Sequence, residues 1–118
     1  QKKIEIARQY KKNLKEFKKI ILPFEEKWAR HSYWLFTILI KDVKKNNRDK
    51  IIQDLNDQGI EARPMFYPAS DMKIYKKFVN KKQNYSKLSY SGISLPSFMG
   101  LKSSQIKIIS DQLKKLVK

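Results

Sequence analysis

The 118-residue sequence predicts one small domain of the α/β or α+β class. Near both ends of the chain, apolar residues recur every three or four positions, which is typical of amphipathic helices. Between these ends, segments with the character of a strand, a helix and a second strand follow one another. Since 41% of the residues are hydrophobic and 12% are aromatic, the chain can form one modest core.

The N-terminal segment predicts an amphipathic helix over residues 4–21. Pro23 ends this helix because proline disfavours helical geometry in the residue before it. The apolar stripe is narrow and regular, so we expect the helix to project and to pack against a partner domain; membrane attachment is the alternative. The stripe consists of Ile4, Ala7, Tyr10, Leu14, Phe17 and Ile21.

The central segments predict a strand, a helix and a second strand. Residues 32–40 are rich in aromatic and β-branched side chains, which predicts a strand buried on both faces. We interpret its aromatic residues as core rather than as a platform for stacking bases. Gly59 is the expected stop of the helix that follows, and residues 60–63 return as a short strand. The aromatic residues are Tyr33, Trp34 and Phe36, and the buried side of the helix consists of Ile51, Ile52 and Leu55.

Residues 63–68, Arg-Pro-Met-Phe-Tyr-Pro, form the least ordinary segment. Each proline fixes its own φ and favours an extended conformation in the residue before it. We therefore expect a stiff, non-helical loop that holds Phe66 and Tyr67 in fixed directions.

The last third of the chain predicts short elements followed by one long helix. The final helix is expected to begin at a Ser103 cap and to have one apolar side, formed by Ile106, Ile109, Leu113 and Leu116 or Val117. The short elements are a helix over residues 71–78, a lysine-rich loop over 80–84, a helical turn over 85–90 and a strand over 92–96.

Composition excludes several classes of site. The chain has no cysteine, which rules out disulfides, thiolate zinc sites and cysteine nucleophiles. His31 is the only histidine, too few for an ordinary metal site, and no glycine belongs to a phosphate-binding loop. The longest apolar stretch, residues 33–40, is about half of what a membrane span needs, and no signal peptide is recognisable. The missing initiator Met suggests a piece of a longer protein.

Lysine dominates the charge. Four of the 27 basic residues are arginine, and with 11 acidic residues the formal net charge is +16. Arginine is the usual residue for bidentate recognition of phosphate and guanine, so we interpret the lysines as solvated helix faces. A small basic module that binds nucleic acid or another polyanion is the alternative function.

Four segments in order carry a resemblance to a known family: residues 32–38, 48–60, 63–68 and 92–97, followed by the closing helix. They resemble the C-terminal domain of DegT/StrS-type sugar aminotransferases, in the perosamine-synthetase-like branch. The resemblance implies a small, mainly antiparallel sheet packed with helices and preceded by a long interdomain helix. Residues 1–22 would be that linker helix and residues 23–118 the small domain.

The resemblance also implies an activity. Such enzymes are fold-type-I homodimers of the cytoplasm that depend on pyridoxal phosphate. They move an amino group from glutamate to a keto group of a nucleotide-linked sugar. The Schiff-base lysine and most cofactor contacts belong to a large domain that precedes this one. We therefore expect no catalytic or cofactor-binding residue in this chain, and no activity from it alone.

By the same resemblance, residues 63–70 face the cleft between domains or subunits. The expected substrate-binding residues are Arg63, Phe66, Tyr67 and Ser70. Tyr67 would hydrogen-bond the sugar or its phosphates, and Arg63 would offset the charge of the diphosphate or of glutamate. Many relatives have His in place of Ser70, which leaves open which sugar is accepted. The alternative is that Arg63 pairs with a nearby acid and that Phe66 packs inward.

Overall fold

The computed structural model describes residues 1–78 and 85–117, and for Tyr85 and Ser86 it describes the backbone alone. The predicted lysine-rich loop over residues 80–84 lies outside the described residues. The helices are α1 (Lys2–Leu14), α2 (Lys45–Asp57), α3 (Tyr85–Tyr90) and α4 (Ser103–Leu116). The strands are β1 (Ile20–Ile21), β2 (Phe36–Ile40), β3 (Arg63–Pro64) and β4 (Gly92–Leu95). Two 3-10 turns, Ala69–Asp71 and Lys73–Phe78, stand where one short helix was predicted.

The four described strands form one antiparallel sheet in the order β1-β2-β4-β3. Phe36 lies opposite Leu95 and Ile38 opposite Ile93, so the centre of the sheet is the β2–β4 pair. The structure confirms the predicted fold class, a small α/β domain with an antiparallel sheet packed with helices.

The core lies between one face of this sheet and the helices. The side chains of β2 and β4 that point inward are buried together with the apolar sides of α1, α2 and α4. The predicted buried sides of α2 and α4 are confirmed; they consist of Ile51, Ile52, Leu55, Ile106, Ile109 and Leu113. Of the two alternatives at the end of α4, Val117 is buried and Leu116 is only partly buried.

The first helix is shorter than predicted and does not project. It ends at Leu14, and two tight turns, with Phe17 N–H bonded to the Leu14 carbonyl and Ile20 N–H to the Phe17 carbonyl, lead into β1. Ile20 is buried opposite Ile40, so pairing with β2 stabilises residues 20–21 as a strand rather than as helix. The apolar stripe of α1 packs in the domain's own core, against α4, so it needs no partner to cover it.

The strand predicted over residues 32–40 begins only at Phe36 and is buried on one face. Thr37 and Leu39 point away from the core and are half-buried, because the helices cover only the other side. Tyr33 and Phe36 are core residues as predicted, whereas the core assignment of Trp34 is wrong, since its side chain is 68% exposed.

The chain turns sharply at Tyr33, which has φ of 52°. Its backbone N–H donates to Nδ1 of His31 at 2.8 Å, and the two rings stack with centroids 4.1 Å apart. Nζ of Lys11 donates to the Tyr33 hydroxyl at 2.6 Å. The lone histidine is therefore engaged in a local turn.

The second helix ends at the predicted glycine. Gly59 has φ of 75°, and the following Ile60 N–H bonds back to the Leu55 carbonyl at 2.9 Å. The strand predicted over 60–63 forms only at residues 63–64, because the side chain of Asn56 bonds both the N–H and the carbonyl of Ala62.

The start of the last helix differs slightly from the prediction. Ser103 is its first residue rather than its cap, since Lys102 occupies that position and its N–H bonds to Oε1 of Gln105 at 2.9 Å.

Tyr10 makes the fold sensitive to alkaline pH. Its ring stacks on Phe36 with centroids 4.7 Å apart, and its hydroxyl donates to the Pro96 carbonyl at 2.8 Å. Burial raises the pKa of Tyr10 well above its ordinary value of 10.0. The unfolded chain releases this proton near that ordinary value while the folded chain keeps it, so this contribution to stability is full below about pH 10 and falls above it.

We predict that, as the pH rises from about 9 to about 11, the free energy of unfolding falls less for Tyr10→Phe than for the parent protein. At neutral pH the variant should be less stable by about 1 kcal/mol, the cost of the lost hydrogen bond to Pro96. Denaturant unfolding at several pH values measures both effects, and parallel declines of the two proteins with pH would contradict the prediction.

Gly59 allows a second stability test. A Cβ at this position would meet nothing within 4 Å, so its positive φ alone sets the cost of a side chain. We predict that Gly59→Ala lowers the free energy of unfolding by about 1 kcal/mol. Gly100→Ala is the control, because its added Cβ makes only ordinary contact with Phe98 at 3.5 Å. Equal effects of the two substitutions in denaturant unfolding would argue against a cost from backbone strain.

Candidate functional site

The outer face of the sheet carries an apolar groove of about 500 Å³. Its floor includes the outward side chains of Thr37 and Leu39 on β2. Its walls come from the segments before β2 and after β3, with Phe24, Trp34, Met65 and Phe66 among them. Because none of the helices in the described part packs on this face, large apolar side chains remain open to solvent.

The loop after β3 is held by backbone bonds at two successive residues. Met65 N–H donates to the Gly92 carbonyl at 3.1 Å, and Oγ of Ser89 donates to the Phe66 carbonyl at 2.9 Å. Gly92 allows the close approach, since a Cβ on it would collide with Cβ of Met65. The loop therefore leaves the sheet in a defined direction, as the two prolines around it predict.

Phe66 points outward rather than into the core. It is 69% exposed and stacks on Trp34, with ring centroids 6.1 Å apart and planes 23° from parallel. The alternative that Phe66 packs inward is therefore wrong. The two rings form an exposed aromatic wall of the groove.

Tyr67 and Ser70 lie beyond the groove. Tyr67 is 46% exposed and meets Tyr90 edge to face, with ring centroids 6.2 Å apart. Ser70 is half-buried in the first 3-10 turn. Neither residue lines the groove, whose described lining includes Phe66 but not Arg63.

Arg63 lies at the β3 edge of the same face. It stands opposite Ser94 in the β3–β4 pair, and it borders a shallower depression of about 250 Å³ that Trp34 also lines. Its guanidinium bonds to Oε1 of Glu61 through both Nε, at 3.0 Å, and Nη2. The alternative that Arg63 pairs with a nearby acid is confirmed, although both side chains are exposed and such surface pairs are weak.

The residues that line the groove suit the binding of a ligand more than covalent catalysis. None of the described residues that line the groove is a lysine, so these residues do not fit a covalently attached pyridoxal phosphate, the cofactor that the resemblance implies. Within residues 1–78 and 85–117, no three His, Cys, Asp or Glu side chains are placed to hold a metal ion. Over the same ranges, no helix is both long enough and apolar enough to cross a membrane.

Two residues that bear on the groove, Trp34 on the outer face and Arg48 in the helix layer, are not among the predicted site residues. Trp34 sits next to core aromatics, and only the turn at Tyr33 sends it to the outer face. Arg48 is wholly buried in α2. Its position at helical spacing before Ile51, Ile52 and Leu55 was the available signal that it lies on the buried side.

Comparisons with known proteins place this fold and loop in a family. Residues 1–114 match the DegT/DnrJ/EryC1/StrS aminotransferase family. The GDP-perosamine synthase of Escherichia coli O157:H7 is 34% identical over 112 residues, which cover 95% of this chain and 30% of that protein. The GDP-perosamine synthase of Vibrio cholerae is 38% identical over 86 residues, which cover 71% of this chain and 23% of that protein.

Solved structures show the same architecture. Helicobacter pylori PseC, an aminotransferase involved in the biosynthesis of pseudoaminic acid, superposes with a TM-score of 0.83 at 20% identity. The superposition covers 99% of this chain and 32% of PseC. This chain thus spans about a third or less of these proteins. With the family match over nearly its whole length, the chain belongs to the DegT/DnrJ/EryC1/StrS aminotransferase family.

Proposed function

We propose that this chain is the C-terminal part of a pyridoxal-phosphate-dependent enzyme that transfers an amino group from glutamate to a keto group of a nucleotide-linked sugar. Its role there is to provide one wall of the sugar-nucleotide pocket. The observation that carries this proposal is the exposed Phe66–Trp34 stack, held on an anchored loop with Arg63 on the same sheet face. Membership of the sugar aminotransferase family and the likeness to GDP-perosamine synthases support it.

The chemistry of this wall suits a nucleoside diphosphate linked to a sugar. Aromatic faces pack against bases and against the apolar faces of sugars. A guanidinium forms charge-assisted hydrogen bonds with diphosphate oxygens, and these are stronger than neutral ones. Arg63 is available for such bonds because its present partner is a single exposed carboxylate, that of Glu61. In this proposal Tyr67 and Ser70 contact the sugar from the loop's far end.

The cofactor, in this proposal, is bound outside these 118 residues. The described part of the groove lining beside Phe66 contains no lysine, which supports that assignment. The cofactor supplies the electron sink of transamination when bound. The chain alone is then inactive, because it contributes substrate contacts and shields the cleft from water without a Schiff-base lysine. The whole protein acts as a homodimer in the same proposal.

The division of the chain also stays a proposal. Residues 1–22 would connect the two domains and residues 23–118 would form the small domain. Since the apolar side of α1 is buried against α4, the connecting helix is at the same time part of the small domain's core.

Two substitutions test the substrate wall in the whole protein. We predict that Arg63→Ala raises KM for the nucleotide sugar about tenfold, because a charge-assisted bond is lost, and that Tyr67→Phe has a smaller effect in the same direction. Steady-state kinetics and thermal unfolding measure the change in substrate use and the change in stability. Matched controls are Arg8→Ala, another exposed arginine, and Tyr75→Phe, a tyrosine of similar exposure. If the two site variants lose as much thermal stability as their controls and keep the parent protein's KM and kcat, the proposed contacts with the substrate are refuted.

The position of the cofactor lysine is tested by chemical trapping. We predict that the whole protein absorbs in the visible range through a Schiff base, and that borohydride removes this absorbance by reducing the linkage to a stable amine. Peptide mass spectrometry should then find the modified lysine outside these 118 residues. An unreduced sample is the control, and a stoichiometric modification within residues 1–118 would overturn the assignment.

A further inference from the structure

Arg48 is a wholly buried cation on α2. Its Nε donates to Oδ1 of Asp49 at 2.8 Å, while its Nη1 donates to the Gly92 carbonyl at 2.8 Å and lies 3.4 Å from the Ser89 carbonyl. Nη2 has no hydrogen-bond partner among the residues that the structure describes. Burying a guanidinium costs free energy that an apolar side chain of similar size would not, so stability alone explains this residue poorly.

The two carbonyls next to Arg48 belong to the residues that anchor the substrate loop. The Gly92 carbonyl accepts from Arg48 and also from Met65 N–H, at 3.1 Å. Ser89 faces Arg48 through its carbonyl and binds the Phe66 carbonyl through its Oγ, at 2.9 Å. The two hydrogen bonds that hold the loop are therefore made with Gly92 and Ser89, the same two residues whose carbonyls accept from Arg48.

This arrangement connects the helix layer with the outer face of the sheet. Arg48 reaches from α2 to the start of β4, and β4 in turn holds the loop that carries Phe66. A charged donor at 2.8 Å fixes a carbonyl more firmly than a neutral donor does. The stack of Phe66 on Trp34 depends on where this backbone lies, because Phe66 is otherwise exposed.

We propose that Arg48 is a positioning residue for the substrate wall: by holding the carbonyls of Gly92 and Ser89, it sets the direction in which Phe66 faces the groove. Arg48 acts through the backbone and does not touch the substrate. The inference rests on the proposed function, in which Phe66 contacts the nucleotide sugar.

The test compares variants of this relay with a control on the same helix. Arg48→Met removes the charged donor, Arg48→Lys keeps one donor, and Ser89→Ala removes only the bond to the Phe66 carbonyl. Ile52→Ala is the control, because Ile52 is buried on the next turn of α2 and belongs to the core cluster. It lowers stability without removing any of these bonds.

The readout is ¹⁹F NMR of the whole protein labelled with 5-fluorotryptophan, since Trp34 stacks directly on Phe66. Trp34→Phe assigns the Trp34 resonance, and Phe66→Ala gives its position without the stack. We expect Arg48→Met and Ser89→Ala to move the resonance toward that position, Arg48→Lys to move it less, and Ile52→Ala to leave it in place. KM for the nucleotide sugar should rise about fivefold in the first two variants, with kcat changed less, as for loss of about one hydrogen bond.

The outcomes separate the two proposals. An unmoved Trp34 resonance in the relay variants, or an equal shift in Ile52→Ala, overturns the positioning role. If Arg48→Met does not fold, Arg48→Lys decides the same question, because it changes only the donors at position 48. A shifted resonance supports the positioning role even where KM stays unchanged. The contact of Phe66 with the nucleotide sugar is a separate question, and an unchanged KM in Phe66→Ala would refute it.

Discussion

The unequal burial of the two faces of β2 is the constraint from which the other features follow. Phe36 and Ile38 of β2, with Ile93 and Leu95 of β4, point under the helices and are almost fully buried. Side chains alternate along a strand, so this inner set commits the neighbouring residues to the outer face. The aromatic groove exists because the helices leave that outer face uncovered.

At Gly92 the inner and outer layers meet. Its missing side chain lets Met65 approach, and its carbonyl accepts bonds from the loop on the outer face and from Arg48 in the helix layer. A single backbone position thus joins the packing of α2 to the direction of the substrate loop. The packing of the core therefore sets the course of the loop that forms part of the outer wall.

The net charge of +16 is compatible with this fold because, among the described residues, every lysine and every arginine except Arg48 is exposed or half-buried. Several exposed lysines pair with acids one turn away on the same helix, as Lys50 does with Asp54 and Lys107 with Asp111. Such pairs contribute little to stability, but they reduce repulsion along helices that are rich in lysine. Arg48 also pairs with an acid of its own helix, Asp49, but it is buried and its guanidinium bonds in addition to the backbone carbonyl of Gly92.

The sequence by itself determined the class of fold, the apolar sides of α2 and α4, the helix stop at Gly59 and the stiff loop over residues 63–68. These features depend on periodicity, on proline and on glycine, which act over a few neighbouring residues. Only the tertiary structure decided that the first helix ends at Leu14, that Trp34 lies outside the core and that the guanidinium of Arg48 bonds to a carbonyl of β4. Each of those outcomes depends on a distant partner: β2 for the residues after α1, the uncovered sheet face for Trp34, and the Gly92 carbonyl for Arg48. Local sequence patterns do not predict such contacts, because the contacts join residues that are far apart in the sequence.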